Sequence, residues 1–382
     1  MSFELTVDQQ ALRELAGEFA RREILPVAGE YDQEARFPRR VFEQALNVGL
    51  LSLNIPERYG GAGLGTFDLV LVVEQLAWAC TGITAAVTLN ALIADAILLG
   101  GDEEQRQHYL ERLNEGQLGA YAVTEPGAGS DVAGLETRAT RRGNGYVLNG
   151  TKTWISNATE AAFFVVFAKT DVTAGHGGLS AFVIGRETAG LEVGRPLGKM
   201  GQKAAPAAEL FLTDVTIPAQ SRLLDEGDGF KLAMQVFDRS RPMVAAFGVG
   251  LTQRCLDESL AYAQERHSMG QPIIRHQAIG HKIAEMGLRL EAARLLTYQA
   301  ARIVDDGRRN TLEAAYAKAY AADTAMWAAT EAVQIFGGMG YSTEYPAEKL
   351  LRDAKLLQIY EGTSEIQRNI MVRELLARRR AV

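Results

Sequence analysis

Four short stretches place chemically versatile residues in otherwise apolar surroundings: Tyr121-Ala-Val-Thr-Glu-Pro-Gly-Ala-Gly-Ser130, Trp154-Ile-Ser-Asn157, Gln334-Ile-Phe-Gly-Gly-Met-Gly340 and Ile359-Tyr-Glu-Gly-Thr-Ser-Glu-Ile-Gln-Arg368. The last sets one carboxylate, Glu361, between an apolar dipeptide and a glycine, which suits an acid or base. It equally suits a residue that merely precedes a helix, because Ser364-Glu-Ile-Gln367 has capping-box spacing. A helix N-terminus lowers the pKa of a nearby carboxylate, so action as a base requires a bound ligand to exclude water from Glu361. The Pro-Gly-Ala-Gly turn of the first stretch lets backbone N–H groups approach an acceptor on a ligand, or is a plain surface turn. Trp154 and Ser156 fall on one side of a strand, since side chains alternate, although a tryptophan is usually core. Gln334 to Gly340 closes a long helix, most simply as a C-cap.

Other chemistries find no support. Gly60-Gly-Ala-Gly-Leu-Gly65 is not GxGxxG, Gly194-Arg-Pro-Leu-Gly-Lys199 is one residue short of a Walker A loop, and neither lies in a strand-loop-helix unit. The closest pair of histidines, His276 and His281, is five apart and shares no helix face, so no metal site is expected. There is no GxSxG elbow. Cys80 and Cys255 make no disulfide framework, which with no recognisable targeting segment points to a reducing, cytoplasmic setting. A net charge of −7 gives no field for nucleic acid or anionic membranes, despite the basic ending Arg378-Arg379-Arg380.

The elements that must hold these stretches follow from periodicity. With 382 residues, 47% hydrophobic and 23% charged, the chain is globular and long enough for two or three units. Residues 1–118 read as all-helical, with Leu69, Val72, Val73, Leu76 and Cys80 at helical spacing and the N-terminal MSFELTVDQQALREL as an amphipathic helix. Asn90 and Asp95 interrupt the apolar run Ile83–Gly100, which therefore reads as a buried helix rather than a membrane span. Residues 119–226 carry short β-like runs at 162–168, 179–184 and 208–212, with Asn149-Gly150 predicted as the turn of a hairpin. Residues 227–382 return to helical period, with Phe230, Met234 and Phe237 on one face. The class is α+β, mainly α, and the long last helices suit an antiparallel bundle that also makes oligomer contacts.

Taken together and in order, the four stretches resemble the acyl-CoA dehydrogenase family over essentially the whole chain, with wording closest to its medium-chain and short-chain branches. The resemblance implies an N-terminal helical domain, a middle β-barrel or sandwich domain and a C-terminal four-helix bundle, assembled as a homotetramer with FAD between domains. It implies that Tyr121, Val123, Thr124 and Ser130 line the flavin and thioester, with Thr124 near the pyrimidine edge and Ser130 nearer the CoA. Trp154 would cover the flavin face away from substrate, and Ser156, where threonine is more usual, would hydrogen-bond near N5. Arg266-His-Ser-Met-Gly-Gln-Pro272 is similar to the segment that reaches the FAD diphosphate of a neighbouring subunit, with Met269 in place of the usual phenylalanine. Arg266, Ser268 and Gln277 are then cofactor contacts, as are Gln334, Gly337, Gly338, Thr363 and Glu365. Asp238, Arg241, Gly362 and Arg373 match substrate contacts, although Asp238 and Arg241 alone could be an ordinary i,i+3 ion pair.

The implied reaction removes an α-proton from an acyl-CoA with a carboxylate, passes a hydride from the β-carbon to flavin N5 and leaves a trans-2-enoyl-CoA. Some branches place the base immediately before the residue matching Arg241, where this chain has Ser240, so Glu361 is the expected base. An electron-transferring flavoprotein is the expected acceptor. The alternatives are an oxygen-using acyl-CoA oxidase, which is typically longer, and a flavin-bearing binder on the same fold, which typically carries a basic extension.

Overall fold

Thr6 opens the first helix: its hydroxyl accepts the Gln9 N–H while the Gln9 side chain takes the Thr6 N–H, completing a capping box. The structure is a computed structural model that describes residues 4–380. Residues 1–3 and 381–382, which the sequence reading assigns to the first and last domains, lie outside the described residues.

Among the described residues seven α-helices come first: α1 (Val7–Phe19), α2 (Ala28–Glu34), α3 (Arg39–Asn47), α4 (Thr66–Ala79), α5 (Thr81–Thr88), α6 (Asn90–Gly100) and α7 (Glu103–Asn114). The segment 81–100 is long and apolar enough to cross a membrane by composition. Here it is two helices meeting at Leu89, and 67% of it is buried inside the molecule.

Eight strands follow: β1 (Gly119–Ala122), β2 (Arg138–Arg142), β3 (Gly145–Ser156), β4 (Phe163–Lys169), β5 (Leu179–Gly185), β6 (Leu191–Val193), β7 (Ala207–Pro218) and β8 (Arg222–Leu223). They form one sheet in the order β6-β7-β3-β2-β4-β5-β8, with β1 parallel to β4. Phe163, Val165 and Phe167 of β4 face a core shared with Leu92, Ile93 and Ile97 of α6, while Phe164 and Val166 join Leu148, Leu210 and Leu212 on the other side. Burial on both faces is why β4 reads as an unbroken apolar run.

One sequence expectation fails here, and one alternative drops out, for local reasons. Asn149-Gly150 is not a hairpin turn but a register shift inside β3, where the Asn149 side chain pairs with Asp214 of β7 and a Cβ on Gly150 would lie 2.4 Å from the Thr137 hydroxyl. The turn falls instead at Gly143-Asn144, between β2 and β3. A second shift between Lys152 and Ile155 leaves Trp154 at φ +59° and 55% exposed, so this tryptophan is not core.

The last third holds α8 (Gly229–Glu265), a hairpin of β9 (His267–Ser268) and β10 (Gln271–Pro272), α9 (Gln277–Asp305), α10 (Thr311–Phe336), α11 (Ala347–Leu357) and α12 (Ser364–Arg380). α10 packs on α8, α9, α11 and α12, and α8 also packs on α4 of the first region. Alanines 314, 317, 321, 325, 328 and 332 are buried along α10, which permits this close approach. Two junctions matter for chemistry: the α11–α12 turn, and the place where α6 packs on both α8 and β1.

Candidate active site

The α11–α12 turn is built around two consecutive left-handed residues, Glu361 at φ +52° and Gly362 at φ +90°. Glycine adopts this conformation freely, whereas a glutamate there stores local strain of order 1 kcal/mol. The turn is held from its bundle side. Lys318 of α10 donates to the Gly362 carbonyl at 2.6 Å, and Gln367 of α12 donates to the carbonyls of Gly362 at 3.0 Å and Glu361 at 3.2 Å. The expected capping box at Ser364 does not form. Thr363 is the N-cap, accepting the Ile366 N–H at 3.2 Å, while Ser364 donates to Asp323 and Gln367 serves the turn.

The Glu361 carboxylate is partly buried and accepts a hydrogen bond from the Ser240 hydroxyl of α8. Burial raises its pKa, and the Ser240 hydroxyl and the charges of Arg241 and Lys318 draw it back, while Asp95 pushes it further up. The balance lies above the ordinary carboxylate value. Glu361 is therefore a stronger base before any ligand binds than its place ahead of a helix implied, because tertiary burial outweighs the helix N-terminus. Among the described residues, no acceptor is paired with the backbone N–H of Glu361.

Around this carboxylate stand groups far apart in the chain. Arg241 is 3% exposed and donates to Asp238 at 2.8 Å, and Asp238 also accepts from Thr311 at 2.5 Å. The guanidinium Nε of Arg241 is buried without a partner among the described residues. Arg373, exposed on α12, lies within electrostatic reach of Arg241. The hydroxyls of Tyr121 and Tyr360 are likewise buried and unpartnered among the described residues, and both phenols are pushed up by burial and then by the charge of Glu361. Asp95 of α6 sits 3.6 Å from Arg239, and burial raises it to about 6.

The loop after β1 is tied to the strand that carries Trp154. The Thr153 N–H donates to the Thr124 carbonyl at 2.9 Å, and Lys152 donates to the Val123 carbonyl at 3.0 Å and to Glu125 at 2.7 Å. Tyr121, Val123, Thr124, Trp154 and Ser156 thus belong to one piece of the middle region, with Ser130 exposed beyond it. A second set is separate. Arg266, Ser268, Gly337 and Gly338 line a cavity of about 620 Å³ with Met269 and the stacked rings of Tyr262 and Phe336, whose centroids are 4.1 Å apart. Gln277 and Gln334 flank that region in the chain without lining the cavity. Thr363 and Glu365 line a third hollow of about 380 Å³ with Asp323, Lys355 and Arg368.

These features fit a dinucleotide with a flat ring system. The exposed indole of Trp154 offers a stacking face, the buried hydroxyl of Tyr121 has no partner among the described residues, and Arg266 and Ser268 suit a diphosphate. Lys318, Lys152, Glu125 and Asp95 carried no functional expectation from the sequence, Asp95 reading only as a break in an apolar run. Lys318 had a signal, because it falls four residues from both Ala314 and Ala322 on an apolar stripe.

Comparison with known proteins covers nearly all of the chain. Three family models match: acyl-CoA dehydrogenase N-terminal domain at 6–117, middle domain at 120–215 and C-terminal domain at 227–376. The chain is 43% identical to a probable acyl-CoA dehydrogenase, YngJ, of Bacillus subtilis, over 98% of this chain and 100% of that one. It is 40% identical to the mitochondrial short-chain specific acyl-CoA dehydrogenase of Rattus norvegicus, over 98% and 92%. The structure of butyryl-CoA dehydrogenase from Megasphaera elsdenii is similar with a TM-score of 0.95 at 39% identity, covering 98% of this chain and 100% of that one.

Proposed function

The chain belongs to the acyl-CoA dehydrogenase family of FAD-dependent oxidoreductases, and we propose that Glu361 is the base that takes the α-proton of an acyl-CoA thioester. One observation carries this reading: Glu361 presents a partly buried carboxylate of raised proton affinity and its own unpaired backbone N–H from the same strained turn. A thioester carbonyl that accepts this N–H has its α-carbon made more acidic beside the carboxylate that must deprotonate it. Burial narrows the remaining gap between a carboxylate and so weak a carbon acid.

When bound, FAD accepts the hydride released from the β-carbon, so the product is a trans-2-enoyl-CoA. Tyr121, Val123, Thr124, Ser130, Trp154, Ser156, Thr363 and Glu365 would hold the flavin and its chain, and Arg266, Ser268, Gln277, Gln334, Gly337 and Gly338 the diphosphate end of a cofactor shared with a second copy. Asp238, Arg241, Gly362, Arg373 and Ser130 would hold the thioester and CoA, Arg241 through its free Nε–H. The Ser240 hydroxyl and the charge of Arg241 favour the ionised carboxylate, and substrate that displaces water from it raises its affinity for the proton it receives. Electrons then pass to an electron-transferring flavoprotein. A homotetramer fits the apolar side chains left outside, with Met269 92%, Tyr341 87% and Leu288 67% exposed; sedimentation as a monomer would overturn it.

The decisive experiment is anaerobic bleaching of the flavin absorbance by saturated acyl-CoAs from butyryl-CoA to palmitoyl-CoA. The wild type is expected to bleach with one length class, and short and medium chains are the first to test, because the relatives are named for both. Glu361→Gln should keep FAD and bind acyl-CoA yet bleach at least about a thousandfold more slowly. Undiminished bleaching by that variant sinks the assignment, and rapid reoxidation by air in the wild type turns the reading toward an oxidase.

A further inference from the structure

Lys318 lies in the middle of α10, a helix otherwise packed through alanines, and it is 0% exposed. Its ammonium makes one direct hydrogen bond, to the Gly362 carbonyl at 2.6 Å, and no carboxylate lies within ion-pair distance among the described residues. Such a group is unfavourable to bury, since its charge loses water and gains no anion in contact. Burial accordingly pushes the ammonium down to about 8. A helix made only to pack would carry an alanine or leucine here.

What the ammonium touches explains its presence. Gly362 follows the candidate base directly, and its carbonyl is gripped from behind by Lys318 and Gln367 together. That grip holds the left-handed pair Glu361-Gly362, with the carboxylate turned onto the Ser240 hydroxyl of α8. The charge acts as well. Lys318 and Arg241 draw the proton affinity of Glu361 down, against burial and Asp95, which push it up. The groups facing Lys318 are Glu361 from the turn, Arg241 from α8, Asp323 from α10 itself and Glu365 from α12.

We propose that Lys318 is a positioning residue for Glu361: it clamps the turn through the Gly362 carbonyl and sets a positive charge, with no anion in contact among the described residues, beside the carboxylate. It touches neither thioester nor cofactor. This rests on the reading of Glu361 as base, and the two can fail separately.

Three substitutions in the FAD-loaded enzyme divide the two actions. Lys318→Arg keeps donor and charge, Lys318→Gln keeps a donor without charge, and Lys318→Met keeps neither. Two readouts are taken against pH. One is the rate of anaerobic flavin bleaching by the best acyl-CoA. The other is the infrared carboxyl band that vanishes in Glu361→Gln, which titrates Glu361 without turnover. In Lys318→Gln and Lys318→Met the Glu361 midpoint is expected to rise by about one unit, and bleaching below it to slow about tenfold. Lys318→Arg is expected to stay near the wild-type midpoint. Should Lys318→Met fail to fold, Lys318→Gln still decides the question. Unshifted midpoints in the Gln variant, or equal shifts in all three, overturn the proposal. If Glu361→Gln bleaches normally while the midpoints shift as expected, the base reading fails and the electrostatic link stands.

Discussion

Two lysines with 0% exposure hold the two halves of the site, and they do so differently. In the middle region Lys152 donates to the Val123 carbonyl and to Glu125, which also accepts the N–H groups of Glu136 at 2.5 Å and Thr137 at 3.0 Å. Burial opposes ionisation of Glu125, but Lys152 and these donors outweigh it and its pKa falls. Lys318 likewise holds a carbonyl, that of Gly362, but has no anion in contact among the described residues. Burial pushes each ammonium down to about 8. A cancelled charge fixes a loop and does little beyond it, whereas an uncancelled one keeps a field that reaches Glu361.

The contrast breaks most directly in stability. Lys152→Met strands Glu125 as a buried anion and is expected to destabilise the FAD-loaded protein by about 3–5 kcal/mol, with loss of FAD. Lys318→Met strands no anion. A lysine with a folded pKa below its unfolded value of 10.5 opposes folding fully below about pH 8, and stability recovers as pH rises from there to 10.5. Removing Lys318 therefore relieves up to about 3 kcal/mol at neutral pH, against which the lost bond to Gly362 counts. Urea unfolding of both variants measures the difference, and equal destabilisation would erase the distinction.

Asp95 sharpens the same contrast from the opposite sign. Its folded pKa, about 6, is raised above the ordinary carboxylate value of 3.8, so the native state binds more protons between these values and stability falls as pH rises through them. Asp95→Asn is expected to gain up to about 3 kcal/mol near pH 8 and almost nothing near pH 4. Arg239, its partner, is 40% exposed along its side chain and can return to water. Because Asp95 pushes Glu361 up, the same variant should lower the Glu361 infrared midpoint, opposite to Lys318→Gln. A rise in both would show that packing rather than charge links them.

Much of the fold was readable because it rests on local pattern. The order helices, sheet, helices follows from the switch in apolar period, and Phe163 to Ala168 announces its two-sided burial by lacking polar alternation. The misreadings came where a distant partner captured a local signal: Asn149 pairs with Asp214 instead of turning, and Gln367 serves the Glu361 turn instead of a capping box. Glu361, Asp238 and Arg241 were visible as motif residues. Asp95, Lys318 and the orphaned hydroxyls of Tyr121 and Tyr360 were not, because their meaning depends on burial beside Glu361 and not on neighbours in the chain.

The smallest expected effect falls on Ser240, and it bounds the field argument from below. Its hydroxyl donates to Glu361 directly and carries no net charge. A donor that favours the ionised carboxylate lowers its pKa, so Ser240→Ala should raise the Glu361 midpoint, by less than about one unit. The turn keeps both its clamps in this variant, so FAD content and acyl-CoA binding should hold. Ser240→Ala and Lys318→Gln then act on one titration through unrelated routes, a contact and a charge, and high salt separates them only weakly because both are buried. Shifts that add in the double variant identify two independent influences on one carboxylate; a double variant no different from Lys318→Gln would mean that the lysine acts by orienting Glu361 toward Ser240, with the clamp and not the charge as its main effect.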